Sequence, residues 1–284
     1  MSRPTVQSEA DWGELARRAI APGGIRAVFQ PIVRMADCRA EGFEALARPS
    51  EQLNIKSVEG LFCAAEELGI GADLDWASRR AALQEVIHLP AQSLLFLNVQ
   101  TSALLHPVHG VDQMQLLLRF SRWQAECVVI EITERERLRH PRRLRRVLEE
   151  YGAAGFRFAL DDVGEGYSTL QAAATVSPDY LKVAGPVSRG AVHRPECRRA
   201  MRSALRVADL IGARVIAEGI ENQEQADVAR DLGVELGQGY WFGRPAPALA
   251  ATARAAIRHS REVLSGSLPL AGPAEYGRLG RWVI

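Results

Sequence analysis

Eight short apolar runs punctuate the chain: Ala27–Val33, Gly42–Ala47, Leu94–Val99, Cys127–Ile132, Arg157–Leu160, Tyr180–Val183, Arg214–Ala217 and Gly237–Trp241. Runs of this length, bounded by polar or turn residues, predict buried strands. Longer amphipathic segments lie between them. Leu74–His88 puts Leu74, Ala77, Ala81, Ala82 and Val86 roughly on one helical face, and Met201–Ile211 does the same with Leu205 and Ala208. Pro141 and Pro195 stand where helices can start, Gly69 and Gly212 where they can stop. Strands alternating with helices predict an α/β chain folded as a single TIM-like (β/α)8 barrel. Only RMADCRAE joins the first two runs, too short for a helical crossover, so the first strand should run antiparallel to the second. Segments 1–24 and 265–284 are expected to flank a barrel domain over 25–264.

Several function classes are disfavoured at once. The 284 residues are 47% hydrophobic and 24% charged, enough for a sizeable buried core. Basic and acidic residues number 35 and 34, so no overall field draws nucleic acid or an acidic membrane. The basic run RERLRHPRRLRR, residues 135–146, invites a polyanion reading. However, Leu144, Val147, Leu148 and Tyr151 recur at helical spacing and make the arginines the wet face of a packed helix. Cys38, Cys63, Cys127 and Cys197 lack CxxC spacing, which argues against zinc and against a disulfide framework and fits a reduced, cytoplasmic setting. No apolar run approaches the length of a membrane span, and no export signal is visible.

Polar residues close the apolar runs. Glu44 lies in the second, and Asn98, Glu131, the pair Asp161 and Asp162, Lys182, Glu218 and Gln238 end or nearly end the later ones. In a parallel barrel those ends share one face, where catalytic groups gather. Carboxylates crowded there repel one another unless cations intervene, and an oxygen donor set without histidine or cysteine suits Mg²⁺ or Mn²⁺ better than zinc. Singly, each residue has a plainer reading. Glu44 can be a salt-bridged strand end, Asn98 the cap of a helix beginning near Thr101 or Ser102, Asp161 and Asp162 turn formers, and Lys182 a solvated lysine.

The segments FQPIV, GFEALAR, FLNV, EITE, DDVGEGYSTL, PDYLK, AEGIE and LGQGYWFGRP, in that order, resemble the motifs of EAL-domain cyclic di-GMP phosphodiesterases over about residues 26–247. The resemblance implies a metal-dependent enzyme that opens cyclic di-GMP to linear pGpG, commonly as a homodimer. It implies two bound ions, Mg²⁺ or Mn²⁺. Glu44, Asn98, Glu131 and Asp161 would be ligands of one, with Asp161 bridging to a second and Asp162 on that second side. By the same resemblance, Lys182 and Glu218 hold and deprotonate the attacking water. Gln30, Leu46, Arg48 and Gln238 line the substrate, Arg48 at a phosphate and Gln30 at a guanine edge. Glu134 steadies the loop after Asp162, which Gly164 and Gly166 let flex.

Two departures from the family pattern bear on turnover. Val163 and Glu165 replace the usual residues of the loop after the aspartate pair, and Ala184 stands where LKID-type sequences carry an aspartate. They leave open an alternative in which the barrel is catalytically weak and serves as a cyclic di-GMP receptor or a protein-interaction module.

Overall fold

The short RMADCRAE link dictates the first pairing. In a computed structural model describing residues 9–121, 123–133, 141–164 and 169–264, β1 (Ile25–Arg34) folds back on β2 (Ala40–Pro49), with Gln30 opposite Glu44. The remaining strands are β3 (Leu94–Asn98), β4 (Val128–Thr133), β5 (Arg157–Val163), β6 (Tyr180–Val183), β7 (Arg214–Ala217) and β8 (Leu236–Gln238). They add in chain order, each parallel to the one before, until β8 closes the barrel against β1. That closing pair is antiparallel and sets Ile32 opposite Gln238. The fold is therefore an eight-stranded TIM-like barrel with one reversed strand.

Helices surround the barrel: α1 (Glu9–Ile20), α2 (Val58–Glu67), α3 (Gly71–Glu85), α4 (Thr101–Leu104), α5 (Val111–Ser121), α6 (Pro141–Ala153), α7 (Thr169–Val176), α8 (Gly185–Gly190), α9 (Pro195–Ile211), α10 (Gln223–Asp231) and α11 (Ala248–Leu264). Local chemistry sets their ends. The Ser57 hydroxyl accepts from the Gly60 amide at the start of α2, Asn222 does the same for Gln225 in α10, and Gly212 ends α9 with a left-handed φ of 73°. Pro141 opens α6, which buries Leu144, Leu148 and Tyr151 and exposes Arg142, Arg143, Arg145 and Arg146. The first part of the basic run, 135–140, lies outside the described residues, as does 265–284. Segment 1–24 includes α1, whose Ala16 and Ala19 are buried with Leu61 and Ala65 of α2. No described helix is long and apolar enough to cross a membrane.

The barrel interior is a compact apolar layer of Ile32, Leu94, Phe96, Val129, Ala159, Tyr180, Ile216 and Leu236. Side chains two residues apart on a strand point the same way. Asn98, Glu131, Asp161, Lys182, Glu218 and Gln238 each follow a member of that layer by two residues, so the layer forms the floor beneath them. On the reversed strand the order inverts, and Gln30 precedes Ile32.

Strand β8 stops at Gln238, short of the expected Trp241, because the chain turns there to meet the β7 loop. The Ile220 amide donates to the Gln238 carbonyl, and the Trp241 amide donates to the Ile220 carbonyl. Gly239 permits this approach: a Cβ there would fall 2.1 Å from the Ile220 oxygen and 2.3 Å from its nitrogen. We expect Gly239→Ala to cost about 1–3 kcal/mol through overpacking, measured as a lower urea midpoint. An unchanged midpoint would mean that the two backbones have room to part.

Candidate active site

Lys182 is completely buried on β6, and its charge is answered on every side. Its Nζ lies 2.8 Å from Glu218 Oε1 and 2.9 Å from Glu131 Oε1. Glu44 Oε2 stands at 3.5 Å and Asp161 Oδ1 at 3.6 Å. Four strands thus deliver four carboxylates to one ammonium. Glu44 is further held by its neighbours: Asn98 Nδ2 donates to its Oε1 at 2.7 Å and Gln238 Nε2 to its Oε2 at 2.5 Å. Gln238 also donates to Gln30 Oε1 at 3.2 Å, while Gln30 Nε2 donates to the Gly243 carbonyl at 3.0 Å. Asn98 does not cap the following helix, whose N-cap is Gln100; its amide is turned to Glu44 instead.

Asp161 and Asp162 raise a geometric difficulty, since adjacent strand residues face opposite sides of a sheet. The backbone resolves it. Asp162 adopts φ 59°, the β5–β6 register shifts between Leu160 and Val163, and the Asp162 amide donates to Asp161 Oδ1 at 2.9 Å. Both carboxylates consequently join Glu218 in a cluster whose oxygens lie within 4.8 Å of one another. A left-handed residue outside glycine is uncommon and costs energy, so its presence at this point is informative.

Burial and crowding set the protonation of the group. Burial pushes Glu218 up and Lys182 pulls it down, with Asp161 and Glu44 adding repulsion; the result is a carboxyl raised to about 8. Burial, then repulsion from Glu44, lifts Glu131 well above the carboxylate range despite Lys182. Asp161 is raised in the same way, by burial first. Glu44 goes the other direction: burial disfavours its charge, but Lys182 and the hydrogen bonds from Gln238 and Asn98 outweigh it. Burial opposes the charge on Lys182, and the surrounding carboxylates overcome it and hold the ammonium charged.

One ammonium serves a cluster of five carboxylates, which leaves negative charge uncompensated. Both oxygens of Glu131 are buried, and the Lys182 ammonium 2.9 Å from Oε1 leaves most of their lone pairs unused, although a carboxylate can accept several hydrogen bonds. Oxygen donors, unused lone pairs and excess negative charge suit a hard divalent cation.

Two clefts flank Glu44. One, of about 510 Å³, is lined by Leu46, Arg48, Asn98, Gln100, Glu131 and Thr133; Asp75 and Arg79 lie against it as well. The other, of about 310 Å³, is lined by Gln30, Arg189, Glu218, Gln238 and Tyr240. Arg48 is half-buried, with one guanidinium nitrogen donating to the Ala47 carbonyl at 2.8 Å. Gly164 lies at φ 100°, beside Val187. Glu134, Glu165 and Gly166 are outside the described residues. Among the lining residues, Asp75 and Arg79, and also Gln100, Thr133, Arg189, Glu221 and Tyr240, escaped the sequence reading. For the first two a signal existed, namely opposite charges four apart inside the apolar pattern of α3.

Residues 14–245 match the model of the EAL domain family. The chain belongs to that family. A probable cyclic di-GMP phosphodiesterase of Escherichia coli, PdeG, is 28% identical over 237 residues, covering 82% of this chain and 46% of that protein. PdeB of Escherichia coli, also a probable cyclic di-GMP phosphodiesterase, is 27% identical over 227 residues, 77% of this chain and 42% of its own length. The chain thus spans less than half the length of either relative. Among solved structures, a manganese and cyclic di-GMP complex of Klebsiella pneumoniae BlrP1 superposes with a TM-score of 0.71 at 30% identity, covering 78% of this chain and 56% of that one. The Xanthomonas citri FimX EAL domain shares the fold, with a TM-score of 0.75 at 18% identity, over 84% of this chain and 94% of its own.

The EAL cage itself can be tested without any nucleotide. Lys182→Met leaves the buried carboxylates facing one another, and we expect it to cost about 3–5 kcal/mol in the cation-free protein at pH 8, read from urea midpoints in EDTA. Groups whose folded pKa is raised bind protons more readily folded than unfolded, so their protonation favours folding as pH drops. The deficit should therefore shrink at pH 6. A deficit that is absent, or that grows on acidification, would contradict the arrangement.

Proposed function

We propose that this EAL domain is a metal-dependent phosphodiesterase that hydrolyses cyclic di-GMP to linear pGpG. The observation that carries the reading is the convergence of Glu44, Asn98, Glu131, Asp161, Asp162 and Glu218 around one buried lysine. In this reading Glu44, Asn98, Glu131 and Asp161 would hold one divalent cation, and Asp161 and Asp162, with Glu218 beside them, would offer oxygens to a second. Two such ions, Mg²⁺ or Mn²⁺, would supply Lewis-acid stabilisation of charge on the phosphodiester and make water nucleophilic at neutral pH.

The chain's own residues do the rest. Arg48 offers a planar donor fork to a phosphate oxygen from the larger cleft. Gln30, fixed by Gly243 and Gln238, presents an oriented amide to a guanine edge in the smaller cleft, and Leu46 gives the nucleotide an apolar contact. The two clefts meet at Glu44, which suits a ligand with two nucleoside arms on either side of one reacting phosphodiester. Water adds to phosphorus, the bond from phosphorus to the 3′ oxygen breaks, and that oxygen leaves as a hydroxyl after taking a proton. Glu218, held in place by Lys182 Nζ at 2.8 Å, is the carboxylate placed to take the proton that the water loses.

A second reading, a nucleotide receptor with weak turnover, is favoured by Ala184. This residue is fully buried at the end of β6, where its amide donates to the Val163 carbonyl, and it places no carboxylate beside the cage. Incubation with cyclic di-GMP and Mn²⁺ followed by chromatography separates the two: pGpG appears, or the cyclic dinucleotide is recovered bound and intact. We expect pGpG. Glu44→Gln, which keeps the side-chain size and removes its charge, should lower the rate by about two orders of magnitude or more. Undiminished pGpG formation by that folded variant would rule out Glu44 as a ligand of the reacting centre.

A further inference from the structure

Beneath the larger cleft lies an ion pair with almost no exposure. Asp75 Oδ1 and Arg79 Nε, one turn apart on α3, are 2.7 Å from each other, with side chains 3% and 2% accessible. The Arg79 guanidinium packs over the Trp76 ring at 4.9 Å. A buried ion pair is weak evidence for stability, because desolvation offsets most of the attraction and apolar residues of similar volume often do as well. Its place in the fold points to a different role.

The other oxygen of Asp75 accepts a hydrogen bond at 2.9 Å from the backbone amide of Gln100. Gln100 is two residues beyond Asn98, in the turn between β3 and α4. The preceding amide, of Val99, donates to the Glu131 carbonyl on β4 at 3.0 Å. Two successive amides are therefore anchored to different elements, one to β4 and one to α3, immediately after the residue whose side chain grips Glu44. The Gln100 side chain caps nothing at the start of α4, and the acceptor for its own backbone amide comes from Asp75.

We propose that Asp75 is a positioning residue for the metal centre: its carboxylate, locked in place by Arg79, pins the Gln100 amide and thereby fixes the direction in which Asn98 leaves β3. The pair touches neither Glu44 nor Asn98 directly. It acts through the backbone, as the outer supports of metal ligands commonly do, and loss of such supports lowers metal affinity by about 10- to 100-fold. The inference rests on the reading of the cage as a cation site.

Removing Asp75 alone would strand a buried guanidinium, so the test replaces both residues. Asp75→Leu with Arg79→Met fills the volume with apolar atoms and leaves the Gln100 amide without an acceptor. Asp75→Asn with Arg79→Met discards the charges and keeps an oxygen in reach of that amide. Three readouts are taken on both folded proteins: hydrogen exchange over residues 98–101 without metal, Mn²⁺ affinity from the electron paramagnetic resonance of free Mn²⁺, and kcat and KM for cyclic di-GMP. The leucine variant should exchange at least about tenfold faster at Gln100 and bind Mn²⁺ about 10- to 100-fold more weakly, with kcat falling and KM little changed. The asparagine variant should recover most of each loss. The proposal is overturned if the leucine variant matches the natural protein in exchange and Mn²⁺ affinity, or if the two variants are equally impaired. It is overturned too if KM alone rises, which would make the pair a nucleotide contact. Exchange and Mn²⁺ binding require no turnover, so a protein that binds Mn²⁺ normally yet makes no pGpG would defeat the phosphodiesterase reading and leave this one standing. A natural protein that takes up no Mn²⁺ would end both.

Discussion

A lysine side chain with no access to water is the interaction on which the upper half of this barrel depends. Taking an ammonium out of solvent costs several kcal/mol, and only close opposite charge makes it tolerable. Lys182 meets Glu44, Glu131, Asp161 and Glu218 from four separate strands. The converse holds as well: those carboxylates could not share so small a volume without it. The lysine and the acids are thus mutually required, and the amides of Asn98 and Gln238 complete the set by occupying both oxygens of Glu44. What one lysine leaves unbalanced is the charge that divalent cations would answer in the proposed reaction.

Below the cage, apolar packing determines how closely its members can approach. Phe96 and Tyr180 meet edge to face, with ring centroids 5.3 Å apart, inside a floor completed by Ile32, Val129, Ile216 and Leu236. Gly42 on β2 is part of that fit, since a Cβ there would stand 2.7 Å from the Leu94 carbonyl oxygen and 3.1 Å from the Phe96 ring. A residue larger than glycine two positions before Glu44 would push β2 away from β3, and Glu44 would leave Asn98 with it. The first glycine of GFEAL is therefore as much a requirement of the site as the glutamate.

Much of this was legible in the linear pattern, because a strand's two-residue period ties an apolar residue to the polar one that follows it. Phe96 and Asn98, Val129 and Glu131, Tyr180 and Lys182, and Ile216 and Glu218 obey that period, and the short link after Val33 foretold the reversed first strand. What escaped notice depended on three-dimensional events without a local signature. Asp162 reaches the cage only through a left-handed backbone. The apolar look of Gly239–Trp241 suggested a longer β8, whereas the chain turns there to meet Ile220. Helix α1 lay hidden in a segment read as a flank because its burial depends on α2 alongside it. Asp75 and Arg79 were not singled out although they stand four apart on α3, because only the packed helix shows that their pairing is buried.

The central claim is that the acidic cage is a two-cation centre aimed at a phosphodiester. Crystals of the protein soaked with Mn²⁺ and cyclic di-GMP, measured at the manganese absorption edge, test it most directly. The account predicts two anomalous peaks roughly 3.5–4 Å apart, both in contact with Asp161, one also among Glu44, Asn98 and Glu131 and the other beside Asp162 and Glu218. Peaks lying elsewhere, or no peak at this cluster at saturating Mn²⁺, would contradict it.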